Sequence, residues 1–160
     1  MPLFNIVSNK NFSTKEKQDV SRTLTDLLID NWKVLPDKIQ TQISIVNDDE
    51  MARGGVSLSN ESFSKLSRRT TIGKESYYTS LNINDGKETL ITITIDTWTG
   101  FSFVDKTNLA TKITQYLIDE HNFLGDNIVI YFRDIIPENW FQNGISGRNP
   151  EFLSKSRNVK

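Results

Sequence analysis

The sequence predicts an α+β fold: a duplicated β-α-β unit that makes a four-stranded mixed sheet with two helices on one face, closed into a homo-oligomer. Three observations carry this. Two stretches 89 positions apart repeat the order strand, helix, strand with matched residues. Each helical stretch carries its own start signal and one apolar stripe. The strands are apolar enough on both sides to need cover that two helices on one face cannot give.

Leu3 to Val7 (LFNIV) is bulky and β-branched and reads as a strand that begins at once after Met1-Pro2. Ser13-Thr14-Lys15-Glu16 then has the spacing of a capping box, in which the serine hydroxyl takes the fourth residue's amide and the glutamate reaches back. Val20, Leu24, Leu27 and Leu28 follow at helical spacing and form one stripe, ending near Trp32 before Pro36. From Ile39 to about Val46, apolar and polar residues alternate as in a second strand. Shifted by 89, the order returns: Leu90 to Ile95 is a strand, Ser102 and Asp105 replace Ser13 and Glu16, and Leu109, Ile113, Tyr116 and Leu117 repeat the stripe. Ile128 to Phe132 (IVIYF) closes the second unit. Each crossover makes its two strands parallel.

The chain reads as one domain. The first repeat covers residues 2–46, an inserted connection 47–88, the second repeat 89–135, and a C-terminal loop and tail 136–160. The connection holds Arg53-Gly54-Gly55, a short helix around Phe63 and Leu66, the basic group Lys65, Arg68, Arg69 and Lys74, and an Asn84-Asp85-Gly86 hairpin turn. Pro137 to Leu153 is an aromatic loop, and Ser154 to Lys160 is expected to fray.

Composition removes most familiar chemistries. The 160 residues are 36% hydrophobic and 24% charged, with 19 basic against 20 acidic side chains. There is no basic field for nucleic acid or an anionic membrane. With no cysteine and the single histidine His121, disulfides, thiolate nucleophiles and Cys- or His-rich metal sites are excluded. His121 is expected as a surface cap at the end of the second helix. Asp48-Asp49-Glu50 lacks the alternate spacing of a calcium loop, and no phosphate-cradling glycine pattern occurs, so no metal or cofactor is expected. No run approaches the ~20 apolar residues of a membrane helix, and no secretory layout opens the chain. A cytoplasmic protein is expected.

Pro2 is the most informative residue. Removal of Met1, usual ahead of a small residue, would leave a secondary amine at the start of a strand. An α-amino group begins near a pKa of about 7.7–8, and burial or a nearby cation brings it toward neutrality, which suits a general base. Held by a strand, it can be aimed without a long side chain.

A duplicated βαβ opened by Pro2 resembles the tautomerase superfamily, whose members share an amino-terminal proline base and usually assemble as trimers. The segments Pro36-Asp37-Lys38-Ile39-Gln40-Thr41 and Asn139-Trp140-Phe141, with Gly144, Gly147-Arg148 and Glu151-Phe152-Leu153, resemble its malonate semialdehyde decarboxylase-like branch. The resemblance spans roughly residues 2–46 and 89–153. It implies a homotrimer, a small oxo-acid substrate, Pro2 as base or, when protonated, as acid, and Asp37 as the residue that orients water or substrate. Asp37 can equally be a polar turn cap, since Asp126 recurs at its repeat position. Trp140 and Phe141, and more weakly Phe152, are implied as pocket walls, with subunit packing as their alternative role. That branch holds its substrate carboxylate with two arginines after the third strand, where this chain has Thr97-Trp98-Thr99-Gly100-Phe101. The absence of those arginines argues against the same substrate, or else the charge comes from elsewhere, with Lys10, Arg53, Arg68 and Arg69 as candidates whose alternative role is a solvated surface.

Three functions are compatible with these residues. The leading one is keto-enol interconversion of a small 2-oxo acid by neutral Pro2. The second is decarboxylation or hydration of a 3-oxo acid by protonated Pro2, with Asp37 orienting water. The third is a non-catalytic oligomeric interaction module.

Overall fold

A computed structural model describes residues 2–69 and 87–157. The Asn84-Asp85-Gly86 hairpin and Lys74 lie outside the described residues. The first repeat consists of β1 (Leu3–Ser8), α1 (Thr14–Trp32) and β2 (Gln40–Ile45); the second consists of β5 (Ile91–Trp98), α3 (Phe103–His121) and β6 (Ile128–Ile135). Both long helices start on the expected capping boxes. The Ser13 hydroxyl accepts from the Glu16 amide at 3.2 Å while Glu16 accepts from the Ser13 amide at 2.7 Å, and Ser102 with Asp105 does the same at 3.1 and 3.0 Å. Both end in a left-handed residue, Lys33 and Asn122, again 89 positions apart.

The four strands form one mixed sheet in the order β2-β1-β5-β6. Each crossover pairs its strands in parallel, and the two repeats join back to back through the antiparallel pair β1–β5. The core lies between this sheet and the helices: Phe4, Ile6, Ile93 and Ile95 meet Leu24, Leu28, Ile113 and Leu117, all at most 1% exposed. Strand alternation turns Asn5, Val7, Val129 and Tyr131 to the other face, where Val129 is 52% and Tyr131 46% exposed. The expected cover on both sides of IVIYF is therefore absent within a single chain. Among the described residues that face carries one buried carboxylate, Asp96, which accepts two bonds from Arg133 at 2.5 and 2.8 Å.

The duplication reaches further than the sequence pattern indicated. After β2 the chain makes a turn at Asp48–Glu50, a small hairpin of β3 (Ala52–Arg53) and β4 (Val56–Ser57), and a one-turn helix α2 (Phe63–Leu66). After β6 it makes a turn at Pro137–Asn139, a hairpin of β7 (Phe141–Gln142) and β8 (Ile145–Ser146), and α4 (Phe152–Lys155), each element displaced by 89 positions. The first half of the connection thus has a structural counterpart. In both hairpin turns the two central residues have positive φ: Gly54 and Gly55 in one, Asn143 and Gly144 in the other. Val56, Leu58, Phe63, Leu66 and Leu90 form a second, smaller core beneath the first hairpin.

Two expectations are corrected. Residues 154–157 do not fray: Ser156 is buried and Arg157 is ion-paired, because the preceding helix α4 anchors them. His121 is not a surface cap. It is 6% exposed, one turn beyond Leu117 on the apolar stripe, edge-on to Phe12 and Tyr116, with Nε2 3.0 Å from the Tyr116 hydroxyl. Its burial favours the neutral ring. Among the described residues no helix is long and apolar enough to cross a membrane.

Candidate active site

Pro2 is buried at the start of β1. Its carbonyl accepts from the Gln40 amide at 3.2 Å, which ties the strand's first residue to the beginning of β2. The sheet register pairs Leu3 with Gln40 on one side and Asp96 on the other. Continued by one residue, it sets Pro2 between Ile39 and Thr97, and the next residues outward on those flanking chains are Lys38 and Trp98.

Both Lys38 and Trp98 line a cavity of about 490 Å³ at this end of the sheet. Its remaining wall comes from the end of α1 (Trp32 to Leu35), the β5–α3 loop (Thr99 to Phe101) and α4 (Phe152, Leu153). The wall is aromatic: Trp32 stacks on Phe101 with ring centres 3.8 Å apart, and Trp98 lies 5.5 Å from Phe152. Trp98 also closes over Gly147, where an added Cβ would stand 2.5 Å from the indole and 2.9 Å from the Pro137 carbonyl. The indole N–H groups of Trp32 and Trp98 and the Thr97 hydroxyl are buried without a hydrogen-bond partner among the described residues. Unsatisfied buried polar atoms are uncommon in folded chains; of the four among the described residues, the two indole groups belong to residues that line this cavity, Thr97 precedes Trp98, and His121 Nδ1 lies elsewhere.

Lys38 supplies the charge. Its side chain is 3% exposed, and Nζ donates to Ser156 Oγ at 2.8 Å and Gln142 Oε1 at 3.1 Å, stands 3.4 Å from Asp37 Oδ2 and lies 5.4 Å over the Phe152 ring. Asp37 is gripped from outside by Arg157, whose Nε and Nη2 donate to its two oxygens at 2.7 and 2.9 Å. That pair, aided by Lys38, holds the Asp37 carboxyl down at about 2, so it is ionised at neutral pH.

Of the residues singled out in the sequence, Pro2, Asp37 and Phe152 thus gather at one end of the sheet, and Phe152 is on the cavity wall. In the chain that carries Met1, Pro2 is buried behind that wall and is not among its lining residues. Trp140 is half-buried and Phe141 is 63% exposed, and neither lines this cavity. The four candidate cations are engaged elsewhere. Lys10 donates to the His121 carbonyl, Arg53 to Asn127, Arg68 to Glu88 and Asp126, and Arg69 to the Gly54 carbonyl. Sequence reasoning missed Lys38, Trp32, Trp98, Phe101 and Arg157. A signal for the last was present: Phe-x-x-x-Ser-Arg occurs at 63–68 and again at 152–157.

No family model matches the chain, and no curated protein does. Solved structures match over nearly their whole length. N1, a member of the cis-3-chloroacrylic acid dehalogenase family, aligns at 16% identity and TM-score 0.66 over 96% of this chain and 88% of its own. A fused 4-OT wild-type symmetric trimer aligns at 12% identity and TM-score 0.66 over 91% and 97%. Pt0534 inactivated by 2-oxo-3-pentynoate aligns at 9% identity and TM-score 0.66 over 91% and 95%. These are tautomerase-superfamily structures, and at such identities the likeness is one of fold.

Proposed function

We propose that this protein is a cofactor-independent, tautomerase-type enzyme in which the Pro2 nitrogen, freed by removal of Met1, is the general base for keto-enol interconversion of a small 2-oxo acid. The observation that carries the reading is the position of Pro2: buried at a strand start, between two chains whose next residues, Lys38 and Trp98, line an aromatic cavity. An amine placed there has little conformational freedom, and both burial and the Lys38 ammonium favour its neutral form. It would take the enol proton and return a proton to the α-carbon, with a donor at the carbonyl oxygen lowering the barrier. The tautomerase-superfamily neighbours support this reading at the level of fold.

Two finer parts belong to the proposal. The malonate semialdehyde decarboxylase-like branch is supported by the motifs at 36–41 and 139–153 alone. Through Asp37 it keeps decarboxylation of a 3-oxo acid as the second reading. A closed homotrimer is supported by the exposed Val129 and Tyr131 face and by the trimeric neighbour.

The test is ketonisation of phenylenolpyruvate by wild type and Pro2→Ala, after intact mass has shown that Met1 is gone. Proline catalysis predicts a loss of roughly 10²–10⁴-fold, the usual size of general-base assistance. Equal rates refute it. Activity that needs the amine deprotonated supports tautomerisation, and activity lost on deprotonation supports the second reading. 2-Oxo-3-pentynoate, an acetylenic ketone that captures nucleophiles, should add once to the Pro2 peptide.

A further inference from the structure

The two repeats bind one another's turns with the same atoms. Arg157 holds Asp37 through Nε–Oδ2 at 2.7 Å and Nη2–Oδ1 at 2.9 Å. Arg68, 89 positions earlier, holds Asp126, the counterpart of Asp37, through Nε–Oδ2 at 2.6 Å and Nη2–Oδ1 at 3.2 Å. The second cluster contains something the first lacks. The remaining edge of Arg68 takes the carboxylate of Glu88, Nη1 to Oε1 at 2.6 Å and Nη2 to Oε2 at 2.8 Å, and Asn127 Nδ2 donates to Oε2 at 2.7 Å. The Glu88 side chain is 7% exposed, so this is a desolvated, fully bonded carboxylate.

The counterpart of Asn127 is Lys38, and the counterpart of Arg68 is Arg157. Among the described residues Arg157 Nη1 donates no hydrogen bond. The pockets correspond as well. Asn122, Leu124, Asn127 and Ser64 line a cavity beside Glu88, and their counterparts Lys33, Leu35, Lys38 and Leu153 line the candidate active site. Charge points the same way: in the second cluster Arg53 and Arg68 face Asp126 and Glu88, two against two, whereas among the described residues Lys38 and Arg157 face Asp37 alone. Counted over the described residues, the first cluster carries one uncompensated positive charge beside a cavity.

From this juxtaposition we infer that Arg157 and Lys38 bind the substrate's carboxylate in the first cavity, in the place that Glu88 fills in the second repeat. The assignment rests on reading that cavity as the substrate site. It supplies the cation that the segment Thr97 to Phe101 lacks, and it makes Asp37 the residue that positions Arg157.

The test uses a carboxylate that cannot tautomerise. Titration calorimetry at pH 7 compares 3-phenylpropanoate with its neutral amide, which shares the apolar body and lacks the charge. Wild type should bind the acid at least tenfold more tightly, and Arg157→Met should bring the Kd of the acid up to that of the amide. Removing Arg157 also leaves Asp37 to neutralise Lys38, so the triple variant Arg157→Met/Asp37→Asn/Lys38→Met, which holds none of the three charges, is the control, and it too should lack the preference. Equal affinities in wild type, no binding of the acid, or a preference that survives in Arg157→Met or in the triple variant overturns the assignment. Pro2→Ala should keep the preference. If that variant ketonises phenylenolpyruvate as fast as wild type, the base is lost while the carboxylate site stands.

Discussion

Arg157 closes on Asp37 from 120 residues away in the chain, with both guanidinium–carboxylate bonds under 3 Å. Asp37 sits in the turn that leads into β2, and Arg157 follows α4 of the other repeat. The contact therefore joins the end of the second repeat to the middle of the first, and Arg68 with Asp126 makes the reciprocal joint. Both joints frame a cavity beside a parallel strand pair.

Glu88 is the buried carboxylate of the reciprocal joint, held down at about 2 by Arg68 first and then by Ser64 and Asn127. Its folded value lies below the ordinary one near 4.3, so its stabilising contribution is complete above that range and is lost as pH falls toward 2. Glu88→Gln should cost about 1–3 kcal/mol at pH 7, the usual penalty for a broken buried charged hydrogen bond. Denaturant titrations of both proteins between pH 7 and pH 2 should show the difference shrinking below about pH 4.

Gly147 sits beneath Trp98. Gly147→Ala should destabilise the fold by about 1–3 kcal/mol, because the methyl meets the Pro137 backbone as well as the indole and only one of these can move. A displaced Trp98 would alter the cavity wall, so tryptophan fluorescence should shift in the same variant. An unchanged melting temperature and spectrum would contradict this packing.

Lys38 is buried yet fully directed at polar partners. Lys38→Met keeps the length of the side chain and removes the charge, and should leave the far-ultraviolet circular dichroism unchanged. Under the proposed function it should raise KM for phenylenolpyruvate by about tenfold or more, with a smaller effect on kcat, as expected when ground-state and transition-state binding are lost together.

Val129 and Tyr131 test the assembly. Replacing Tyr131 with Asp puts a charge on the sheet face that the helices leave open, and light scattering after size exclusion should show a smaller particle than wild type if that face is the subunit junction. A wild-type chain that already elutes as a monomer would remove the homotrimer from the proposal.

Much of this architecture is written locally. The capping boxes at Ser13 and Ser102, the stripes from Val20 and Leu109, and the alternation from Ile39 each depend on residues a few positions apart, and each produces the element expected. The small hairpins do not announce themselves, because two-residue strands have no period to read. Arg157 was invisible as a partner for a different reason: its carboxylate lies a whole repeat away, and only the shared Phe-x-x-x-Ser-Arg spacing connects it to Arg68. The burial of His121 is legible in its stripe, since Leu109, Ile113, Leu117 and His121 fall at intervals of four on one face, and this spacing outweighs its place at the helix end. The cavity wall has no local signature, because Trp98 and Phe101 meet Trp32 and Phe152 only through the fold.

The reciprocal joints also govern how the molecule comes apart. Each repeat ends by fastening a turn of the other, so neither half can melt without setting the opposite turn free. Heat or denaturant should therefore release both halves in a single transition, with the ring signals of Trp98 and His121, one from each end of the sheet, vanishing at the same midpoint.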